Sequence, residues 1–172
     1  MLRGLYSRVD GVTAMERKKY IHYGHSSFDR NLFTQIRNME MFTKPSGGLW
    51  ASSADASYGW KEWCVCNDFN TRRLVDYFTF TLAENAKVLH IYDVAQLKGL
   101  PQMDGPDMWC SLNFEQLLAE GVDAIELHLS EEKRDKSACI LSHGLYWQLY
   151  GWDCDSILIM NPDVVEVVWS KD

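Results

Sequence analysis

The strongest constraint on the fold is a series of short segments with strand-like patterns, separated by turn residues. Residues 76–82 alternate apolar and polar side chains, as in a half-buried strand, whereas residues 156–160 form a continuous apolar run. Five further strand-like segments occupy residues 19–24, 49–52, 86–92, 124–129 and 164–169. The helical patterns are short, such as residues 114–120 before Gly121. We therefore predict an α+β fold whose core is a largely antiparallel β-sheet.

Two of these segments are predicted to form a hairpin. Only residues 83–85 separate the segment 76–82 from the segment 86–92, and so short a connection joins antiparallel neighbours. A further turn is predicted by the KPSGG run at residues 44–48. We therefore expect segments 76–82 and 86–92 to lie side by side in the sheet.

The length and composition of the chain fit one globular domain. It has 172 residues, 47% of them hydrophobic, which is enough to bury a substantial core. We predict a single domain over residues 19–172 and a loosely ordered basic arm over residues 1–18. The sequence shows no apolar run of the roughly 18 residues that a membrane span needs and no secretory signal. Five scattered cysteines fit reduced thiols, so we predict a cytoplasmic protein with no membrane partner.

The distribution of charge limits the ligands that the chain can bind. The net charge is −7. Residues 1–100 carry 13 Lys and Arg against 10 Asp and Glu, whereas residues 101–172 carry 4 against 14. A general nucleic-acid binder needs clustered basic residues to contact phosphates, so this class is disfavoured. The mildly basic first part can still receive a phosphorylated ligand, and the acidic second part can simply serve solubility.

Two short motifs in the first part contain residues suited to ligand binding. His22 and Tyr23 end a predicted strand, and Gly24 lets the backbone turn away while the imidazole faces a ligand. The second motif follows two glycines, with Trp50 as a flat apolar face and Ser52 as a hydroxyl. Each motif also has a purely structural interpretation. The first can be a hydrogen-bonded structural histidine, and the second a turn beside a core tryptophan.

A third motif, Asp153-Cys154-Asp155, directly precedes the apolar segment 156–160. On a strand, Asp153 and Asp155 would point to the same face. Two close carboxylates can hold a metal, raise one another's pKa or stabilise a developing positive charge. The alternative is an exposed pair at the rim of the sheet.

In this order, the three motifs resemble those of the ADP-ribosyltransferase fold, particularly its small bacterial and phage-type members. Those proteins carry an Arg or His on an early strand and an aromatic or Ser motif on a second strand. An acidic residue, often in an E-x-E pattern, stands at the head of a late strand. The corresponding positions here are His22, Trp50, Ser52, Asp153 and Asp155. The resemblance extends over residues 19–169 and implies a split, mostly antiparallel sheet.

The resemblance implies that NAD is the substrate and that the protein is a bacterial or phage effector. Asp155 would bind the ribose and offset the positive charge that develops as nicotinamide leaves, while Asp153 would position the nucleophile. His22, Tyr23 and Gly24 would contact the dinucleotide. Trp50 or Tyr58 would stack on the nicotinamide ring, and Ser52 would steady the strand or the ribose. The acceptor of ADP-ribose would be a protein side chain, a nucleic-acid base or water.

The sequence departs from the family pattern in two places, which leaves alternatives open. Asp155 stands where Glu is usual and is one methylene shorter, and Trp50 stands where Tyr is common. A non-enzymatic binding module on the same fold would fit these changes and the seven tryptophans. A metal-dependent hydrolase using Asp153, Asp155, His22 or His143 matches no recognised ligand spacing. We therefore predict no metal ligands, with His128 and His143 in loops or on the surface.

Overall fold

The computed structural model describes residues 17–39, 42–103, 111–128 and 151–170. Most of the N-terminal arm, residues 1–16, lies outside these ranges, as do Cys110, Cys139 and His143. The described residues form nine strands and two α-helices. The strands are β1 (Tyr20–Tyr23), β2 (Arg37–Met39), β3 (Phe42–Ser46), β4 (Leu49–Ser53), β5 (Tyr77–Leu82), β6 (Val88–Ile91), β7 (Ala124–Leu127), β8 (Ser156–Ile159) and β9 (Val165–Ser170). The helices are α1 (Trp60–Cys66) and α2 (Phe114–Ala119). None of the described helices is long and apolar enough to cross a membrane.

All seven segments predicted as strands contain a strand, so the prediction of a mixed α+β fold is confirmed. The predicted turn at 44–48 is shorter than expected, because β3 continues to Ser46 and only Gly47 and Gly48 make the turn. Both glycines have positive φ, at 77° and 71°, a conformation that is strained for residues with a Cβ atom. Gly121 ends α2 in the same way, with φ at 88°.

Seven strands form one sheet in the order β6-β7-β8-β4-β1-β5-β9, and β2 pairs with β3. All neighbours are antiparallel except β6 and β7. The predicted hairpin between segments 76–82 and 86–92 is therefore wrong. Strand β5 pairs with β1 on one edge and with β9 on the other, which leaves no edge for β6. The chain after β5 therefore crosses to the other end of the sheet, where β6 pairs with β7.

The sheet is buried on both faces in its middle. In β8, Leu158 belongs to one apolar cluster, while Ile157 and Ile159 belong to the cluster on the opposite face, as strand alternation requires. The first cluster includes Phe114 and Leu117 of α2, which therefore covers that face. These packed layers hold the middle strands rigidly, so side chains at their ends are positioned by the core.

Strands β1 and β4 pair over only two residue pairs, Tyr20 with Ser53 and Ile21 with Ser52. By contrast, all four residues of β1 pair with β5. At the next position along β1, the Nδ1 atom of His22 lies 2.7 Å from the carbonyl oxygen of Trp50. A side chain thus replaces the backbone ladder here, and the two strands separate next to His22.

Candidate functional site

A cavity of about 230 Å³ lies where β1 and β4 separate, and we call it the His22 cavity. It is bordered by consecutive residues of both strands: Ile21, His22 and Tyr23 from β1, and Trp50 and Ala51 from β4. Because neighbouring strand residues point to opposite faces, a cavity that touches all of them lies between the strands. The sequence motifs around His22 and Trp50 are thereby brought together.

The protonation state of His22 follows from its hydrogen bonds. A carbonyl oxygen only accepts, so Nδ1 carries the proton that is donated to Trp50. Nε2 lies 3.0 Å from Nδ1 of His25, and it accepts from that nitrogen in the neutral form of His22. Burial lowers the pKa of His22 below its ordinary value, against the raising effect of the bond to Trp50, and His25 lowers it further. His22 is therefore a neutral, fixed imidazole at the wall of the cavity.

Trp50 is held by contacts that the sequence did not indicate. The ammonium of Lys44 lies 4.4 Å from the centre of a Trp50 ring, and Trp152 packs edge-on at 4.7 Å. Lys44 also donates to the carbonyl oxygen of Gly151 at 3.2 Å. Burial lowers the pKa of Lys44, partly offset by the negative charge of Asp153. Lys44 thus brings a partly buried cation to the cavity, and its only sequence signal was its place beside the glycine turn.

The structure separates the two aspartates that were expected to share a face. Asp153 and Asp155 both precede β8, so strand alternation does not govern them. Asp153 borders the His22 cavity together with Lys44. Asp155 borders a different cavity of about 240 Å³, which we call the Glu126 cavity because Glu126 and His128 also border it. The two aspartates, which were expected to share a face, thus border different cavities.

Ser52 and Tyr58 are placed where they position the chain around Asp155. The buried hydroxyl of Ser52 donates to the carbonyl oxygen of Asp155 at 3.0 Å and accepts from the backbone N–H of Trp60 at 2.8 Å. The carbonyl oxygen of Tyr58 accepts from the N–H of Asp155 at 3.1 Å. These bonds join β4, the start of α1 and the segment before β8. A direct contact of Ser52 or Tyr58 with NAD stays a prediction.

A larger, more open groove of about 820 Å³ lies beside the His22 cavity, and we call it the Gly24 groove. His22 and Trp50 border both spaces. Gly24, Gly47 and Gly48 also border the groove, so its wall is partly backbone. His22, Gly24 and Trp50, which are predicted to contact NAD, therefore border one continuous region.

No protein-family model, curated protein or solved structure matches this chain. The resemblance to ADP-ribosyltransferases therefore stays a prediction from the sequence motifs.

Proposed function

We propose that the His22 cavity and the Gly24 groove together bind NAD and that the protein transfers or hydrolyses its ADP-ribosyl group. One observation carries this proposal. The three strands that bear or follow the motifs, β1, β4 and β8, are neighbours in the sheet, although the motifs at His22 and Asp153 lie far apart in the sequence. In support, His22, Trp50 and Asp153 border one cavity, although Asp155 borders another.

The dimensions of the two spaces suit a dinucleotide. The His22 cavity, at about 230 Å³, matches one ring-sized group, and the adjoining groove, at about 820 Å³, has room for a nucleotide. Trp50 offers an aromatic wall where the two meet, and Lys44 supplies a cation for a phosphate. A ligand with a flat ring, a ribose and a diphosphate would use each of these features.

The chemistry proposed for the site is cleavage of the bond between nicotinamide and ribose. The electron pair of that bond leaves with nicotinamide and neutralises its pyridinium charge, while the ribose becomes oxocarbenium-like. An acceptor oxygen or nitrogen then bonds to the ribose and loses its proton. A carboxylate at the cavity stabilises the positive charge. Since Asp153 borders the His22 cavity, we now assign this role to Asp153 rather than to Asp155.

Mass spectrometry of NAD incubated with the pure protein tests the proposal. We expect the parent to release nicotinamide and Asp153→Asn to release it about 10²–10³ times more slowly, in the range seen when one transition-state-stabilising group is lost. Asp155→Asn should have a smaller effect, because its backbone makes the bonds that order the segment. Asp68→Asn is the matched control, since Asp68 is exposed and has a φ of 50°, which Asn tolerates.

A thermal-shift titration with NAD accompanies the assay. Stabilisation by NAD without nicotinamide release would favour the alternative, a non-enzymatic binding module on the same fold. If NAD neither stabilises the protein nor loses nicotinamide, the proposal is wrong. The fate of the ADP-ribose separates a transferase, which attaches it to an acceptor, from a hydrolase, which frees it.

A further inference from the structure

Two histidines and a glutamate converge at the parallel end of the sheet. His90 in β6 lies directly opposite Glu126 in β7, and His128 follows Glu126 by two residues. The N–H of His128 donates to the carbonyl oxygen of Ile91 at 2.9 Å, which extends the backbone pairing beyond β7. Residues two apart on an extended chain share a face, so the three side chains are held together by the ladder itself.

The three ligand atoms form a triangle of the size that a metal ion requires. Nδ1 of His90 lies 3.3 Å from Oε2 of Glu126, and Nε2 of His128 lies 3.4 Å from the same oxygen. The two nitrogens are 3.1 Å apart. An ion bound tetrahedrally at about 2.1 Å from each ligand needs ligand separations of about 3.4 Å. The side chains therefore have nearly the required spacing, and all three donor atoms lie within 4.8 Å of one another.

The carboxylate of Glu126 is positioned by further contacts. Glu126 is only 3% exposed, and a carboxylate so buried needs partners. Lys18 donates to Oε1 at 2.7 Å, and the hydroxyl of Tyr20 donates to Oε2 at 3.1 Å. Such surrounding hydrogen bonds commonly orient the ligands of a metal ion. They fix the orientation in which Oε2 faces both imidazoles.

The cluster is reachable from solvent and has room beside it. The side chains of His90 and His128 are 42% and 24% exposed. The ring of Tyr92 stacks on His128 at 4.6 Å, which restrains the imidazole. Glu126 and His128 border the Glu126 cavity, together with Asp155. An ion at this place would therefore have an entry path and a side that faces the cavity.

We propose that His90, Glu126 and His128 bind a divalent first-row transition metal ion, with Zn²⁺ the reference ion, and leave one coordination position open to the Glu126 cavity. Two imidazoles and a carboxylate are ligands that Zn²⁺ binds well. Three protein ligands with an open position are typical of catalytic zinc sites, whereas structural sites have four. This site is separate from the His22 cavity and does not depend on NAD binding. It would give His128 a ligand role in place of the predicted one of a loop or surface histidine.

Calorimetric titration of the untagged, chelator-treated protein with Zn²⁺ tests the proposal, because a histidine tag would itself bind the ion. We expect one ion per chain, and visible absorption of tetrahedral character when Co²⁺ is used instead. His90→Gln and His128→Gln should each weaken Zn²⁺ binding at least about 100-fold. Loss of a residue that only hydrogen-bonds a metal ligand weakens binding by up to about 100-fold, and loss of a ligand itself should cost no less. Both positions are partly exposed, so the variants keep the buried Glu126 and its partners.

The matched control is His25→Gln. His22 and His25 form another close pair of imidazoles, with 3.0 Å between Nε2 and Nδ1, but no carboxylate joins them in the metal-type clusters found among the described residues. His25→Gln should leave Zn²⁺ binding unchanged. Failure of the parent to bind one equivalent, or unaltered binding by His90→Gln, would overturn the proposal and identify the cluster as a hydrogen-bonded network only.

Discussion

His22 donates from Nδ1 to the carbonyl oxygen of Trp50 across 2.7 Å, where the ladder between β1 and β4 has ended. The imidazole therefore takes the place of a backbone donor. A carbonyl oxygen left without a partner in a partly buried position costs free energy. This bond therefore continues the connection between β1 and β4 beyond their last backbone pair, at the edge of the His22 cavity.

Acidification should destabilise the protein through His22. Burial lowers its pKa below the ordinary 6.5, so the unfolded chain binds the proton more readily than the folded protein does. The contribution of His22 to stability is therefore complete above about pH 6.5 and declines as the pH falls from there towards the lowered pKa. Denaturant unfolding measured from pH 7.5 downwards should show this decline.

The variant His22→Asn isolates the effect, because its amide can donate to Trp50 but does not titrate. The difference in unfolding free energy between the parent and His22→Asn should therefore change as the pH falls below about 6.5. A difference that is constant with pH would show that His22 does not contribute to the acid sensitivity.

The contact of Lys44 with Trp50 should couple the two residues energetically. A cation above an aromatic ring is worth about 0.5–2 kcal/mol, more when it is partly desolvated, and Lys44 is partly buried here. A double-mutant cycle with Lys44→Met and Trp50→Leu should give a coupling of that size in the free energy of unfolding. The same cycle with the exposed Lys61→Met in place of Lys44→Met should give none.

Gly47 should not tolerate a side chain. Its φ is 77°, and a Cβ atom would lie 2.4 Å from the carbonyl oxygen of Gln35 and 2.7 Å from that of Thr34. Because both neighbours are backbone, Gly47→Ala should lower the free energy of unfolding by at least about 2 kcal/mol. Gly99→Ala is the control, since nothing lies within 4 Å of its Cβ position, and it should change stability by less than about 1 kcal/mol. Equal effects in chemical denaturation would refute this account of the turn.

Ser52 should matter for stability rather than for chemistry. Removal of its hydroxyl in Ser52→Ala leaves the N–H of Trp60 and the carbonyl oxygen of Asp155 without their partner, at a cost of about 1–3 kcal/mol. Ser53→Ala should cost less than about 0.5 kcal/mol, since the hydroxyl of Ser53 donates to the exposed side chain of Asp55. Thermal unfolding measures the stability of the two variants, and nicotinamide release measures their activity. If Ser52→Ala is as stable as the parent, Ser52 does not position the chain as proposed here.

The strands were predictable because their signal is local. Residues 76–82 and 156–160 show their burial directly in the order of apolar side chains, and β5 and β8 form there. Gly121 likewise marks the end of α2 through its positive φ. The antiparallel character of the core followed from the shortness of these segments and is confirmed.

Pairing between distant strands was not predictable in the same way. The short connection at residues 83–85 indicated a hairpin, but both edges of β5 are used by strands from elsewhere in the chain. The separation of Asp153 from Asp155 also escaped prediction, because it depends on a bent segment before β8 rather than on strand alternation. In both cases the tertiary arrangement outweighed the local pattern.

The His90, Glu126 and His128 cluster was missed for a related reason. Its members become neighbours only through the parallel register that sets His90 opposite Glu126. A signal was present in the sequence, since a lone Glu stands among apolar residues in the segment 124–129 and a His follows two positions later. A buried carboxylate in such a strand needs a partner, and that need points to a site.

The parallel pair of β6 and β7 has a consequence for local motion. Among the described strands, β6 lies at the end of the sheet and pairs with β7 alone, and a terminal strand opens more easily than one held on both sides. An ion shared by His90 and His128 would be bound by both strands at once. The backbone amides of β6 that bond to β7 would then exchange more slowly while the ion is bound, so their exchange rate would report how fully the metal site is occupied.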